Sequence, residues 1–426
     1  MRGVERARLG AAALAGRAAA LASRLSGRGS GASIRGQVML KVDPGALGKL
    51  LANRRLAMVS GTNGKTTTTH FLAAAVQRSL GAEASRLVTN ADGANLYHGI
   101  ASALGEAPRA DIAVLETDER VVAEVIRLGS PEVIVLLNFS RDQLDRNHEI
   151  KRLARSWRES LTDAGAGGPV VVANADEPLI VWAARGAANV IWVDTDAQWT
   201  QDSVLCPECG SLLARRPVDD RSVDDADIGG NWFCTGCDLA QPAATFVVRG
   251  EQIVDGQGRT WDAELQVPGR FNIGNAACAL AAAEVMGVSV ADALAGIRSV
   301  ASPAGRFGTA HFGDTTARLV LAKNPAGWAE SLQLVATDTV VLAIDAAAAD
   351  GRDVSWLWDV EYEQLRGRTV IATGPRAQDL AVRLSYADVE HRCIPDLAGA
   401  LVGHPEPVDV IATYTPFQKL RRMGGT

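Results

Sequence analysis

The stretch that most constrains this 426-residue chain lies between Leu56 and Leu80. A short apolar run, Leu56 to Val59, breaks at Ser60-Gly-Thr-Asn-Gly-Lys-Thr66, and Phe71, Leu72, Ala75, Val76 and Leu80 then recur at helical spacing. That is a strand, a tight loop and a helix. Such a loop suits a phosphate chain. Its glycines let backbone N–H groups close around phosphate oxygens, and the helix N-terminus adds a positive dipole end. On this reading Gly61, Thr62, Asn63, Gly64, Lys65, Thr66 and Thr67 contact a nucleotide, with Lys65 on the β- and γ-phosphates and Thr66 on Mg²⁺. The plain alternative is an ordinary Gly-rich strand–helix turn.

The length allows two or three domains, each with its own core. A content of 47% hydrophobic and 22% charged residues is that of a globular protein. The net charge of −6 argues against a nucleic-acid partner. No run approaches the roughly 20 apolar residues of a membrane span. Near the N-terminus Arg2, Arg6 and Arg8 precede Leu9-Gly-Ala-Ala-Ala-Leu-Ala-Gly, but Arg17, Arg24 and Arg28 interrupt what resembles a leader. An Ala-rich surface helix is expected there, with membrane-surface docking the lesser option, and a cytoplasmic location overall. Residues 26–36, Ser-Gly-Arg-Gly-Ser-Gly-Ala-Ser-Ile-Arg-Gly, read as a flexible connector.

After the loop, the apolar runs Asp111–Glu116, Val133–Asn138, Pro169–Ala173 and Val190–Val193 alternate with helical stretches. This predicts a mostly parallel sheet covered on both faces, with ligands at the carboxyl ends of its strands, where Glu116 and Asn138 sit. Further alternation at Ala317–Leu321, Thr339–Ile344, Thr369–Thr373 and Val408–Ala412 predicts a second, smaller α/β domain. The loop Ala301–Gly308 marks the boundary. The expected division is residues 1–50 as helix and connector, 51–304 as an ATP-binding domain and 305–426 as a C-terminal domain.

Two Cys-x-x-Cys knuckles, Cys206/Cys209 and Cys234/Cys237, interrupt the first domain and form a zinc-ribbon pattern over about residues 203–240. Four thiolates fill a tetrahedral Zn²⁺, so the metal would be structural. Cys278 and Cys393 read as packing residues. Thr66 and Glu116 are the natural Mg²⁺ pair, and Glu116-Thr-Asp-Glu119 supplies three carboxylates, or else a solvated acidic turn.

The form Gly-Thr-Asn-Gly-Lys-Thr, with Val59 where the general loop pattern has a glycine, resembles the Mur ligase superfamily. Asn138-Phe-Ser-Arg-Asp-Gln-Leu-Asp-Arg146 resembles a metal-holding stretch of those ligases, with Gln143 where His is usual. Gly269-Arg-Phe-Asn-Ile-Gly-Asn275 resembles their adenine-contacting segment, and Arg306 their nucleotide-contacting arginine; an Asn pair opening a helix is equally good capping chemistry. Lys323-Asn-Pro-Ala-Gly-Trp328, Asp350-Gly-Arg-Asp-Val-Ser-Trp356 and Gly374-Pro-Arg-Ala-Gln-Asp-Leu-Ala-Val-Arg-Leu384, together with the four-Cys ribbon, resemble the MurT type in particular. That resemblance implies a Mur ligase-like P-loop ATPase domain with an inserted ribbon, lacking the UDP-binding N-terminal domain of related ligases. It implies ATP-dependent amidation of the D-glutamate α-carboxylate in lipid-linked muropeptide, at the inner face of the membrane. Ammonia would come from a GatD-type glutaminase in a heterodimer. It also implies that Asp353, with Asp350 as fallback, completes the glutaminase triad across the interface; read from the residues alone, the segment is a turn. Six scattered histidines and no Cys in a nucleophile elbow agree that glutamine hydrolysis needs a partner. The competing readings are a nucleotide switch or kinase, and a zinc-ribbon nucleic-acid binder. Asp219, Asp220, Asp224, Asp225 and Asp227 in the ribbon stretch argue against the second.

Overall fold

The computed structural model describes residues 3–25, 32–90, 94–140, 150–197, 202–216, 231–301, 307–347 and 350–424. Arg306, Gln143 and the ribbon aspartates 219–227 lie outside them. The chain divides into two compact units, with one boundary between Ala304 and Gly305.

The first unit opens with three helices, α1 (Gly3–Leu25), α2 (Ala32–Val42) and α3 (Ala46–Leu51). Residues 32–36 of the expected connector are therefore helical. Gly36 serves packing, not flexibility: a Cβ there would stand 1.7 Å from the carbonyl oxygen of His98. Next come β1 (Arg55–Ser60), α4 (Lys65–Leu80), β2 (Leu87–Thr89), α5 (Tyr97–Glu106), β3 (Ile112–Glu116), α6 (Val122–Gly129) and β4 (Val133–Leu136). They are followed by α7 (Ile150–Ala164), β5 (Val170–Asn174), α8 (Pro178–Ala184) and β6 (Asn189–Asp194). A small hairpin, β7 (Leu213–Arg215) and β8 (Trp232–Cys234), is inserted before β9 (Phe246–Arg249), β10 (Gln252–Asp255) and β11 (Thr260–Asp262). Helices α9 (Phe271–Val285) and α10 (Val290–Arg298) close the unit.

The nine-stranded sheet has the order β11-β10-β9-β6-β5-β4-β1-β3-β2. It is parallel from β2 through β9, and antiparallel pairing of β9, β10 and β11 closes one edge. The strands facing each other across β1 are β3 and β4, so the order reverses at β1, and the crevice at its carboxyl end is where such sheets receive ligands. Buried apolar side chains run through β1, β3 and β4 without alternation, as a sheet covered on both faces requires.

The second unit is a six-stranded sheet, β12 (Phe307–Phe312), β13 (Thr315–Leu321), β14 (Thr339–Ala343), β15 (Thr369–Thr373), β16 (His391–Cys393) and β17 (Val408–Ala412), in the order β12-β13-β17-β14-β15-β16. Helices α11 (Pro325–Leu332), α12 (Ala377–Tyr386) and α13 (Tyr414–Met423) accompany it. One apolar core gathers Trp328, Leu357, Tyr362 and Leu380; another gathers Phe312, Leu401, Phe417 and Leu420. The short strands β12 and β16 were not expected from the apolar runs, because their burial alternates or fades at the sheet edges.

Candidate nucleotide site and four-cysteine cluster

The β1–α4 loop is built by two glycines and one asparagine. Gly61 (φ 142°) and Gly64 (φ 83°) hold backbone that side chains disfavour. A Cβ on Gly64 would also stand 2.5 Å from Asn275 Oδ1. Asn138, just past β4, clamps the loop: its Oδ1 accepts from the Asn63 N–H at 2.8 Å, its Nδ2 donates to the Asn63 carbonyl at 3.1 Å, and its carbonyl accepts from the Thr62 N–H at 2.9 Å. These three bonds brace the loop from outside.

Lys65 opens α4, with Nζ donating to the Gly61 carbonyl, the Thr62 carbonyl at 3.2 Å and Glu119 Oε1 at 3.0 Å. Burial depresses its ammonium pKa, but the charges of Glu119, Glu116 and Asp118 outweigh this and the net shift is upward. Lys65 is thus a fixed cation at a helix N-terminus, with Thr66 buried beside it. Glu116 ends β3 in register with Val59 of β1. Asn90 receives its N–H and donates to its carbonyl, both at 2.8 Å, and Asn95 Nδ2 donates to its Oε1 at 2.9 Å. The second oxygen, Oε2, is buried with no hydrogen-bond partner among the described residues. An orphaned buried carboxylate oxygen is costly unless something cationic meets it, so Glu116 fits a role as a divalent-cation ligand. The asparagines that hold it, Asn90 and Asn95, were not singled out in the sequence; their loop positions carry no periodicity.

Asn275 lies in the second turn of α9, because the helix begins at Phe271 with Arg270 as its N-cap. The alternative reading, an Asn pair capping the helix, therefore does not hold. Asn275 Nδ2 instead donates to Asn272 Oδ1 at 3.0 Å, and both are buried. The pair packs against Gly64 of the β1–α4 loop.

The four cysteines meet as the sequence spacing implied, with all four Sγ atoms within 4.8 Å of one another. Cys206 and Cys237 are 3.6 Å apart, and Cys209 and Cys234 are 3.4 Å apart. Tetrahedral Zn–S bonds of about 2.3 Å put sulfurs about 3.8 Å apart, so the donor set and its spacing fit Zn²⁺. The Gly236 N–H donates to Cys234 Sγ at 3.2 Å, orienting the sulfur. Bonds that join the cysteine insert to the segment after β5 include Trp232 Nε1 to the Ala175 carbonyl at 3.0 Å and Gln241 Nε2 to Asp176 Oδ1 at 2.8 Å.

In the second unit the two candidate aspartates part company. Asp350 is buried; its Oδ1 accepts from the Thr415 N–H at 2.7 Å and its Oδ2 from the Thr415 hydroxyl, which caps α13. Asp353 is exposed, and its Oδ1 accepts from the Ser355 N–H at 2.8 Å. That bond and the Ser355 hydroxyl hold its carboxyl below the ordinary range, so it is ionised at neutral pH. Asn324 caps α11 by accepting from the Gly327 N–H at 2.9 Å.

Comparison with known proteins agrees with this architecture. The Mur ligase middle domain matches residues 59–206, and the MurT ligase C-terminal family matches residues 321–417. A pseudomurein peptide ligase type C from Methanothermus fervidus superposes with a TM-score of 0.64 at 17% identity, over 87% of this chain and 78% of that one. MurF from Acinetobacter baumannii gives 0.61 at 16%, over 92% and 79%. These show the Mur ligase-like fold. The lipid II isoglutaminyl synthase (glutamine-hydrolyzing) subunit MurT of Staphylococcus aureus (strain N315) is 30% identical over 87% of this chain and 86% of its own. The subunit of the same name from Streptococcus pneumoniae R6 is 28% identical over 94% and 93%. With both halves of the chain matched and nearly the whole length aligned, the chain belongs to the MurT family of Mur-ligase-like proteins.

Proposed function

We propose that this chain is the ATP-using synthetase subunit of a lipid II isoglutaminyl synthase, amidating the α-carboxylate of D-glutamate in a lipid-linked muropeptide. One observation carries the reading: at the carboxyl end of β1 a buried lysine at a helix N-terminus faces a carboxylate cluster whose Glu116 keeps an unpartnered oxygen. That is the equipment of phosphoryl transfer, in a chain of a ligase family.

Gly61–Thr67 cradle the polyphosphate, and Lys65 with the first amides of α4 gathers charge on the transferring phosphoryl group. Thr66 and Glu116 would hold Mg²⁺, which would supply neutralisation of the phosphate charge. Asn275 and Arg306 are assigned to the base and nucleotide side. A carboxylate oxygen of the substrate attacks the γ-phosphorus, the bond to the β,γ-bridging oxygen breaks, and ADP leaves. The lone pair of ammonia then attacks the acyl carbon, the C–O bond to phosphate breaks, and the surplus proton passes to phosphate or solvent. Zn²⁺ on Cys206, Cys209, Cys234 and Cys237 is structural. Residues 51–304 act as the ATP-binding domain and 305–426 as the C-terminal domain.

Ammonia comes from a GatD-type glutaminase subunit in a heterodimer, and Asp353 orients the imidazole of that partner's catalytic pair. The exposed, ionised Asp353 can do this. The buried Asp350, spent on α13, cannot without uncapping a helix. The reaction belongs at the inner face of the membrane, where the substrate's lipid resides. The test is the purified chain with ATP, Mg²⁺ and an ammonium salt, assayed with and without lipid-linked muropeptide. Substrate-dependent phosphate release with a carboxyl converted to an amide supports the reading; release indifferent to muropeptide favours a nucleotide switch or kinase.

A further inference from the structure

Helix α1 has two unlike faces. Ala12, Gly16, Ala20 and Ser23 form the packed one, and Gly16 lies so close to α2 that a Cβ would stand 2.9 Å from the Arg35 carbonyl oxygen. Arg8 reaches back to α2 as well, donating to the Val42 carbonyl at 3.2 Å. On the opposite side Leu14, Leu21 and Leu25 stand 67, 59 and 81% exposed. At 100° per residue the three fall within about 40° of arc, and Arg6, Arg17 and Arg24 line one flank about 60–80° away. All three arginines are exposed. Small residues, Ala7, Gly10, Ala11 and Ala18, occupy the rest of that face, and they are exposed too. Glu5, the acidic residue of the helix, projects about opposite the leucines.

A line of large apolar side chains bordered by cations and clear of acids is the pattern of a helix lying in a lipid–water interface. The leucines enter the acyl boundary, and the arginines remain at headgroup level and meet phosphate. The charge also weighs against a second copy of this chain, since a symmetric contact on this face would bring the arginine flanks of both copies into one interface. It contrasts with the whole chain, whose net charge is −6. We infer that the exposed leucine line of α1, with its arginine flank, docks this protein on an anionic membrane surface. The inference rests on the helix alone and goes beyond the amidation reading, so either can fail without the other.

The test is flotation of the purified full chain with vesicles of phosphatidylcholine alone, or with about a third phosphatidylglycerol. The wild type floats with the anionic vesicles, stays behind with the neutral ones, and loses binding as salt rises toward about 0.5 M. Leu14→Ser/Leu21→Ser/Leu25→Ser lowers the partition coefficient at least about tenfold. Arg6→Gln/Arg17→Gln lowers it on anionic vesicles only. All these side chains are exposed, so the thermal midpoint and circular dichroism stay as in the wild type, which separates lost docking from lost folding. A wild type that fails to float with anionic vesicles overturns the proposal, as does a triple leucine variant that floats undiminished. A dimer in light scattering that the leucine variant dissociates, without vesicle binding, assigns the face to a second copy and also overturns it.

Discussion

Lys65 Nζ donates to Glu119 Oε1 at 3.0 Å, with side chains only 11% and 14% exposed. The pair sits where the β1–α4 loop becomes a helix, so the lysine assigned to phosphate is held in place by a carboxylate that the fold has also buried. Burial pushes Glu119 up, and Lys65 works against that shift. Truncating Lys65 would leave an isolated buried carboxylate, which takes up a proton instead of remaining charged.

Lys65→Ala is therefore expected to lose ATP turnover by about 10²-fold or more while the chain stays folded. Parallel measurement of phosphate release and thermal midpoint checks this. Adding Glu119→Gln should recover stability in the Lys65→Ala background without recovering turnover. Normal turnover in Lys65→Ala removes the loop from the chemistry.

Asp353→Asn is expected to spare amidation driven by ammonium salt and to cripple amidation driven by glutamine with the partner subunit. Asp350→Ala should behave differently: loss of the α13 cap costs about 1–2 kcal/mol and lowers both activities with the folded fraction. Equal loss of both activities in a fully folded Asp353→Asn would move that residue out of the glutaminase role.

Cys209→Ser is expected to release the zinc, read as metal per chain by elemental analysis. The loss should reach the nucleotide site. Gln241 holds Asp176, whose Oδ2 accepts from the N–H and hydroxyl of Thr195, both at 2.8 Å, and Gly274 of α9 lies so close to Thr195 that a Cβ would stand 2.7 Å from its Cβ. Nucleotide affinity should therefore weaken, by less than about tenfold because the loop itself is held by Asn138. Unchanged metal content contradicts the zinc assignment.

The buried Glu177 sets a pH dependence. Burial pushes its carboxyl up to about 7, against a hydrogen bond from Ser203; Asp202 adds to the rise and Arg215 opposes it. A folded pKa above the unfolded one means the native state binds the extra proton, so the contribution is full below about 4.5 and is lost as pH rises toward 7. The size is on the order of 3 kcal/mol. Glu177→Gln keeps an acceptor for Ser203 and should flatten this part of the stability curve in denaturant titrations between about pH 4 and 8, a range that spans the shift. An identical slope in the variant assigns the pH dependence elsewhere.

The parts of the fold legible in the sequence were those with a strong period or a rigid chemical requirement. The strands Thr369–Thr373 and Val408–Ala412 have the bounds that their apolar runs suggested, and the four cysteines converge because paired knuckles permit little else. The Gly64 turn was legible because glycine adopts its φ without the strain a side chain brings. What could not be read were contacts between residues distant in sequence: Asn138 on Asn63, Asn90 and Asn95 on Glu116, Trp232 on Ala175. Gly36 misled for the same reason. Its glycine signalled flexibility locally, but the cause was the His98 backbone some sixty residues away. The helix start at Phe271 was not legible, because it is fixed by backbone geometry that Arg270, a poor cap by type, does not advertise.

The most direct test of the central claim is product analysis of the purified chain incubated with ATP, Mg²⁺ and an ammonium salt, with lipid-linked muropeptide present or absent. Phosphate release that depends on muropeptide, with one stem-peptide carboxyl becoming an amide by mass, is the expected result. Release at the same rate without muropeptide, and no amide formed, would contradict it.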